Sequence, residues 1–222
     1  MKKIFISLLL LTIILPSLTA CAYFHDGKIS QDKLPWKKSG EVLQEVDFTR
    51  RTLNWEEVNN VYELKRSSDQ GYFMSVFPKN GRSISTSSLV FRDTKFSVEA
   101  KKVTGSDETS YGLVCRYQDK QNFYGFSVST DGYAGIYRVE DGKTSLLSGE
   151  NYLYTELIEM HDGVNMIVAI CQNESLRLEI NGVEVLRATD DRFQIGEVGF
   201  FLETAQEGNA SALFNHFIVV KP

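Results

Sequence analysis

Tyr111-Gly112-Leu113-Val114-Cys115-Arg116-Tyr117, then Asn122-Phe123-Tyr124-Gly125-Phe126-Ser127-Val128-Ser129, then Asp131-Gly132-Tyr133-Ala134-Gly135-Ile136-Tyr137 decide the reading of this chain. Three runs rich in aromatic and β-branched residues follow one another with only a few turn-forming residues between them. Apolar positions recur every second residue, and the helical period of 3.6 is sustained nowhere in the 222 residues. The pattern is that of consecutive antiparallel strands. Asp131-Gly132, Asp141-Gly142 and Asn181-Gly182 suit two-residue hairpin turns, whose central residues both need φ > 0.

Working outward, the same pattern predicts strands over 42–48, 60–66, 71–77, 84–91, 95–103, 110–117, 122–129, 133–139, 143–148, 164–171, 175–180, 183–188, 195–203 and 210–220. Only 152–160 is ambiguous. Many short strands cut by turns predict an all-β sandwich or barrel. The aromatic content of 12% and the apolar content of 42% suit a packed globular core, not a disordered chain.

The hairpins also predict which side chains share a face. Pairing Tyr117 with Asn122 sets Cys115 opposite Tyr124, Leu113 opposite Phe126 and Tyr111 opposite Val128. Pairing Thr130 with Tyr133 sets Phe126 opposite Tyr137 and Tyr124 opposite Val139. Pairing Val103 with Ser110 adds Phe96, Val98 and Ala100 to the same apolar, core-facing side. The other side then carries Ser97, Glu99, Gly112, Val114, Phe123, Gly125, Ser127, Ile136, Arg116 and Arg138. Arg116 opposite Phe123, and Arg138 opposite Gly125, form a candidate ligand platform. Arginine supplies a planar fork of donors, and an aromatic face stacks on apolar ring surfaces. The alternative is a solvated sheet face on which Glu99 pairs Arg116. Further on, Ile180 pairing Val183 sets Leu178 opposite Val185. A short turn at Asn173-Glu174 sets Cys171 opposite Leu176 and Ala169 opposite Leu178, so Cys171 points inward like Cys115.

The three opening runs resemble the central strands of concanavalin A-like sandwiches, in particular laminin-G-like and family-16-glycosidase-like domains. Asn165–Cys171, Leu176–Gly182, Gly196-Glu197-Val198-Gly199 and Phe214-Asn215-His216-Phe217 are similar to the closing strands of that family, and Phe48 with Trp55 to its opening pattern. The resemblance covers about residues 42–220. It implies a jelly-roll sandwich of two antiparallel sheets and a carbohydrate as ligand class. Catalytic family-16 members carry Glu-x-Asp-x-x-Glu on one strand, and retaining hydrolysis needs two carboxylates ~5 Å apart. This chain has no such motif, and Glu156-Leu-Ile-Glu159-Met-His-Asp162 has the wrong spacing. Asn215 stands where relatives tend to carry Asp. Calcium is the one cofactor the laminin-G-like resemblance suggests. Hairpin turns explain Asp131-Gly132 and Asp141-Gly142 more simply, so no cofactor is expected.

The N-terminus carries an address. Lys2 and Lys3 precede an apolar run, Ile4–Leu15, and Leu18-Thr19-Ala20-Cys21 resembles the lipobox of bacterial lipoproteins. The resemblance implies a signal peptide over 1–20, lipidation of Cys21, a tether over 21–41 and a domain over 42–222. It places the protein in the bacterial cell envelope, held to a membrane from outside the cytoplasm. Removing residues 1–20 takes away two lysines, so the net charge of −5 becomes −5 − 2 = −7. That acidity argues against nucleic-acid partners. Cys115 and Cys171 remain as an even pair in an oxidising compartment, a candidate disulfide whose alternative is two buried thiols. His25, His161 and His216 are scattered singly, and no Cys-x-x-Cys occurs, so no metal site is expected. The expected function is a non-catalytic binding module for a glycan or envelope component. A glycoside hydrolase and a structural or protein-interaction lipoprotein are the alternatives.

Overall fold

The computed structural model describes residues 24–34, 37–50, 52 and 55–222. Cys21, the leader expected over 1–20 and the first part of the expected tether lie outside the described residues. The described strands are β1 Phe24–His25, β2 Lys28–Ile29, β3 Val42–Val46, β4 Val58–Asn59, β5 Glu63–Ser68, β6 Gly71–Val76, β7 Arg82–Phe91, β8 Thr94–Thr104 and β9 Ser110–Asp119. They continue with β10 Asn122–Ser129, β11 Tyr133–Glu140, β12 Lys143–Leu146, β13 Leu153–Tyr154, β14 Asn165–Gln172, β15 Ser175–Ile180, β16 Val183–Thr189, β17 Gly196–Glu203 and β18 Ala210–Val220.

All but β1 and β2 assemble into two antiparallel sheets, one in the order β12-β11-β10-β9-β17-β7 with β13 beside β11, the other β16-β15-β14-β8-β18-β6-β5-β4 with β3 beside β18. The core lies between them. Leu113, Tyr124, Phe126 and Phe200 come from the first sheet, and Phe96, Val98, Ile167, Leu178 and Phe214 from the second. At one end Phe48 and Trp55 meet edge-on with centroids 4.9 Å apart, and Trp55 stacks on Phe200 at 4.8 Å. The predicted all-β sandwich is the observed architecture.

Register explains where the predicted facing fails. Tyr124 does pair Cys115, Phe126 pairs Leu113 and Val128 pairs Tyr111. At the far end, however, Asn122 pairs Asp119, not Tyr117, because β9 carries a bulge around Arg116, whose φ of 49° is left-handed. The Asp131-Gly132 turn is one residue longer than predicted. Val128 pairs Ala134, which leaves Thr130, Asp131 and Gly132 as a three-residue loop, Gly132 at φ 96°. That one-residue slip sets Phe126 opposite Ile136 and Tyr124 opposite Arg138. Ile136 therefore enters the core and Tyr137 leaves it for the outer face, the reverse of the prediction.

Val103 does not pair Ser110, since β8 and β9 lie in different sheets. Phe96, Val98 and Ala100 still reach the core, from the opposite side. Ile180 pairs Val183 as expected, but a bulge at Leu178/Glu179 sets Leu178 opposite Leu186, not Val185.

Part of the segment read as a tether is docked on the sandwich. The Arg92 N–H donates to Ser30 Oγ and Asp32 Oδ1, both at 2.8 Å, and Lys33 Nζ lies 2.6 Å from Asp93 Oδ2. Ser30 and Asp32 are buried. Burial opposes the Asp93 charge, yet the Lys33 ammonium and the Asn173 N–H hold its carboxyl below the usual range.

Cys115 on β9 and Cys171 on β14 are joined across the core, with Cα atoms 6.9 Å apart and a sequence separation of 56. Closing so long a loop restricts the unfolded chain by ~4 kcal/mol on the chain-entropy account. Cys115→Ala/Cys171→Ala should therefore lower the urea midpoint, with a loss of up to ~4 kcal/mol. Intact mass of the native protein should show neither of these two thiols alkylated before reduction.

Candidate functional site

A strand that faces water on one side shows polar residues there, but β9 and β10 are buried on both faces. Val114, Phe123, Tyr137, Val139 and Phe201, with Ile84, form a second apolar cluster on the outer face of the seven-stranded sheet. Arg82, on the edge strand β7, lies over two of those rings, 5.2 Å from the Phe123 centroid and 5.6 Å from that of Tyr137. In a flat sheet β7 and β10 would be about 14 Å apart, three spacings of ~4.8 Å. The register also sets Arg82 level with Ser129, six residues or about 20 Å along β10 from Phe123, so the contact requires this face to be concave, with the bulged β9–β10 hairpin bent over it.

Glycine allows the rings to lie against the backbone. A Cβ at Gly125 would sit 2.2 Å from Tyr137 Cζ, and one at Gly135 would sit 2.4 Å from Tyr152 Cε1. Arg82 pairs with Glu203, which also accepts from the Tyr137 hydroxyl at 3.2 Å. Burial works against the Arg82 charge, but Tyr137 and Glu203 beside it hold its pKa above the ordinary value. Burial, then the Glu203 charge, pushes the Tyr137 phenol well up, and the same two causes raise Tyr152. Tyr117, half-buried beside Phe123, is pushed up to about 12, chiefly by burial.

Where β9 begins and β10 ends, the concave face opens into a groove of about 180 Å³. Ser110, Ser127 and Ser129 are on its floor, Tyr133 and Tyr152 are half-exposed beside it, and Glu108 and Asp131 complete the lining. This is a surface of ring faces, hydroxyls and carboxylate acceptors.

The three residues proposed as a platform are not brought together. Phe123 is fully buried under Arg82 on the concave face. Arg116 is 1% exposed. The bulge turns it inward, where Nε donates to the Arg92 carbonyl at 3.2 Å, Nη1 to that of Phe193 at 2.9 Å and Nη2 to that of Asn173 at 2.6 Å. Burial lowers its pKa, opposed by Tyr124 and Asp93. Its expected partner Glu99 lies on the other sheet and meets His216 Nδ1 at 2.9 Å. Arg138 faces the core side at the sheet edge, 2.5 Å from Asp190 Oδ2 and 3.0 Å from Glu140 Oε2. Asp190 also accepts from the Tyr124 hydroxyl at 2.5 Å.

Arg82, Glu203 and Tyr152 escaped the sequence reading because each comes from a segment distant from the central strands. The usable signal was Gly125 and Gly135 at outward positions, where a neighbouring ring fills the missing side chain. Among the described residues no cluster of three or more His, Cys, Asp or Glu side chains could hold a metal ion.

No family model and no curated protein matches the sequence. Solved structures do match in fold. The carbohydrate binding module CBM66 from Bacillus subtilis has a TM-score of 0.62 at 18% identity, covering 75% of this chain and 95% of its own. A Bacillus subtilis protein of unknown function with a galectin-like fold has 0.58 at 13%, covering 83% and 97%. Crh5 transglycosylase in complex with NAG has 0.57 at 13%, covering 80% and 83%. The likeness is one of fold: a galectin- or concanavalin-like β-sandwich whose neighbours include carbohydrate-binding modules and glycosidases.

Gly125→Ala should force the Tyr137 ring off the sheet and disturb the Arg82–Glu203 pair above it. Overpacking of this kind costs about 1–3 kcal/mol. Urea denaturation should show a lowered midpoint, and an unchanged midpoint would mean that the ring is free to move away.

Proposed function

We propose that this protein is an envelope lipoprotein that binds a glycan on the concave face of its seven-stranded sheet and does not cleave it. The groove between Tyr133 and Tyr152 carries this reading. Saccharides present apolar ring faces edged with hydroxyls, and the groove offers two half-exposed aromatic rings around serine and carboxylate acceptors. The fold neighbours that bind or process carbohydrate support the ligand class. Binding without hydrolysis is supported by the absence of Glu-x-Asp-x-x-Glu and by Glu203 being engaged by Arg82 and Tyr137. The lipid anchor rests on the sequence ending at Cys21.

A glycan array with the purified protein should find a saccharide ligand. Tyr152→Ala and Tyr133→Ala should each weaken it by roughly two- to tenfold, the equivalent of ~0.5–1.5 kcal/mol of stacking. An empty array would remove the glycan reading, and full affinity in both variants would remove the groove as its site. Turnover of chromogenic glycosides would assign the hydrolase alternative instead.

Cys21→Ser should move the protein from the membrane to the soluble fraction. Unchanged partitioning, or a mature N-terminus at another residue, would refute the anchor.

A further inference from the structure

The groove has a charge character that narrows its ligand. Of its seven lining residues, Glu108 and Asp131 are acidic and none is Lys, Arg or His. Neither carboxylate takes part in an ion pair among the described residues. Other carboxylates, on this face and in the nearby β8–β9 connection, are paired. Glu197 is held by Lys28 at 2.6 Å, Glu203 by Arg82 and Asp107 by Lys102 at 2.8 Å.

A second observation points independently to a ligand. Ser127 is 4% exposed, its remaining exposure is to the groove, and its hydroxyl has no hydrogen-bond partner within the protein. Its oxygen opens to the groove and takes its hydrogen bonds from whatever enters there. Ser127 sits on the outer face between Gly112 and Gly135, which pair with it from either side and offer no side chain to bond it. Next to it, Ser129 donates to Asp131 Oδ1 and so fixes that carboxylate at the rim with its other oxygen unbonded.

We infer that this groove takes a saccharide bearing a protonated amino group, a de-N-acetylated amino sugar. The inference rests on the glycan reading above and names the substrate class of that site. An ammonium offers three donors and a charge. Asp131 and Glu108 supply the opposite charge, and the Ser127 hydroxyl supplies a further acceptor at the floor. A neutral hydroxyl in the same place would leave both carboxylates uncompensated, and an acidic sugar would be repelled by them.

The test measures binding of three oligosaccharides of equal length to the full protein: a fully deacetylated glucosamine oligomer, its N-acetylated counterpart and a neutral glucose oligomer. The amino form should bind about tenfold more tightly, as one charge-assisted contact implies, and the advantage should shrink as salt is raised. Asp131→Asn keeps the acceptor for Ser129 and should remove most of the advantage while leaving the weaker neutral binding in place. Glu108→Gln should act in the same direction. Ser127→Ala has no internal bond to break, so it should keep the melting temperature and weaken the amino and neutral forms alike. Neutral and amino forms bound equally, or an advantage that survives Asp131→Asn with Glu108→Gln, would overturn the inference and leave the glycan reading standing. Failure of all three to bind would overturn the inference, and the glycan reading with it only where the array is also empty.

Discussion

A guanidinium sealed at one end of the sandwich must find acceptors for its donors, and this requirement organises the molecule. Arg116 finds them in the carbonyls of Arg92, Asn173 and Phe193. These belong to three separate connections: β7 to β8, β14 to β15, and β16 to β17. One side chain thus fixes three loops that span both sheets, beside the Cys115–Cys171 link. The cost of burying the charge is offset only while all three carbonyls stay in place. The left-handed φ at Arg116 is part of the same device. It inserts one residue relative to β17, turns the guanidinium inward and lets Tyr117 rejoin the outer face beside Phe123.

With that end fixed by hydrogen bonds, the concave face is held chiefly by the packing of its own rings. No second sheet covers it, so its rings cover each other, and Arg82 closes over them with Glu203 as counter-ion. Glycines at 125 and 135 permit the close approach. The two ends of the sheet therefore do different work. Near Arg116 the polar groups are satisfied within the protein. Near Ser110 and Ser129 several are left facing solvent.

The fold class and nearly every strand were legible in the sequence, because period-2 patterning and Asp-Gly or Asn-Gly turns act over short range. Facing was legible on β9 and β10, where Cys115–Tyr124 and Leu113–Phe126 are neighbours as expected. It failed on β11 through one residue. Asp131-Gly132 can close a two-residue loop or finish a three-residue one, and only the second lets the Ser129 hydroxyl bond Asp131 and place Ile136 in the core. The site was less legible. Arg116, Phe123 and Arg138 were taken from alternation alone, and a bulge and a slip moved them to a buried anchor, a covered ring and an edge ion network. Arg82 and Glu203 meet at the rim of the sheet through pairing of strands over a hundred residues apart, which no local pattern records.

The docked segment sets how the domain would stand on a membrane. Lys28 to Lys33 hold to Glu197, Arg92 and Asp93, at the Arg116 end of the strands. With the lipid proposed at Cys21, six residues separate it from Lys28, and the β1–β2 pairing of Phe24 with Ile29 and His25 with Lys28 folds part of that length back, so the reach is well under the about 25 Å of an extended chain. A leash so short, fastened to one pole of the domain, restricts tumbling and points the opposite pole outward. The groove at Ser110, Ser129 and Tyr133 lies at that opposite pole. The protein would then present its open end to the space beyond the membrane and sample ligands in a layer no thicker than its own length plus the leash.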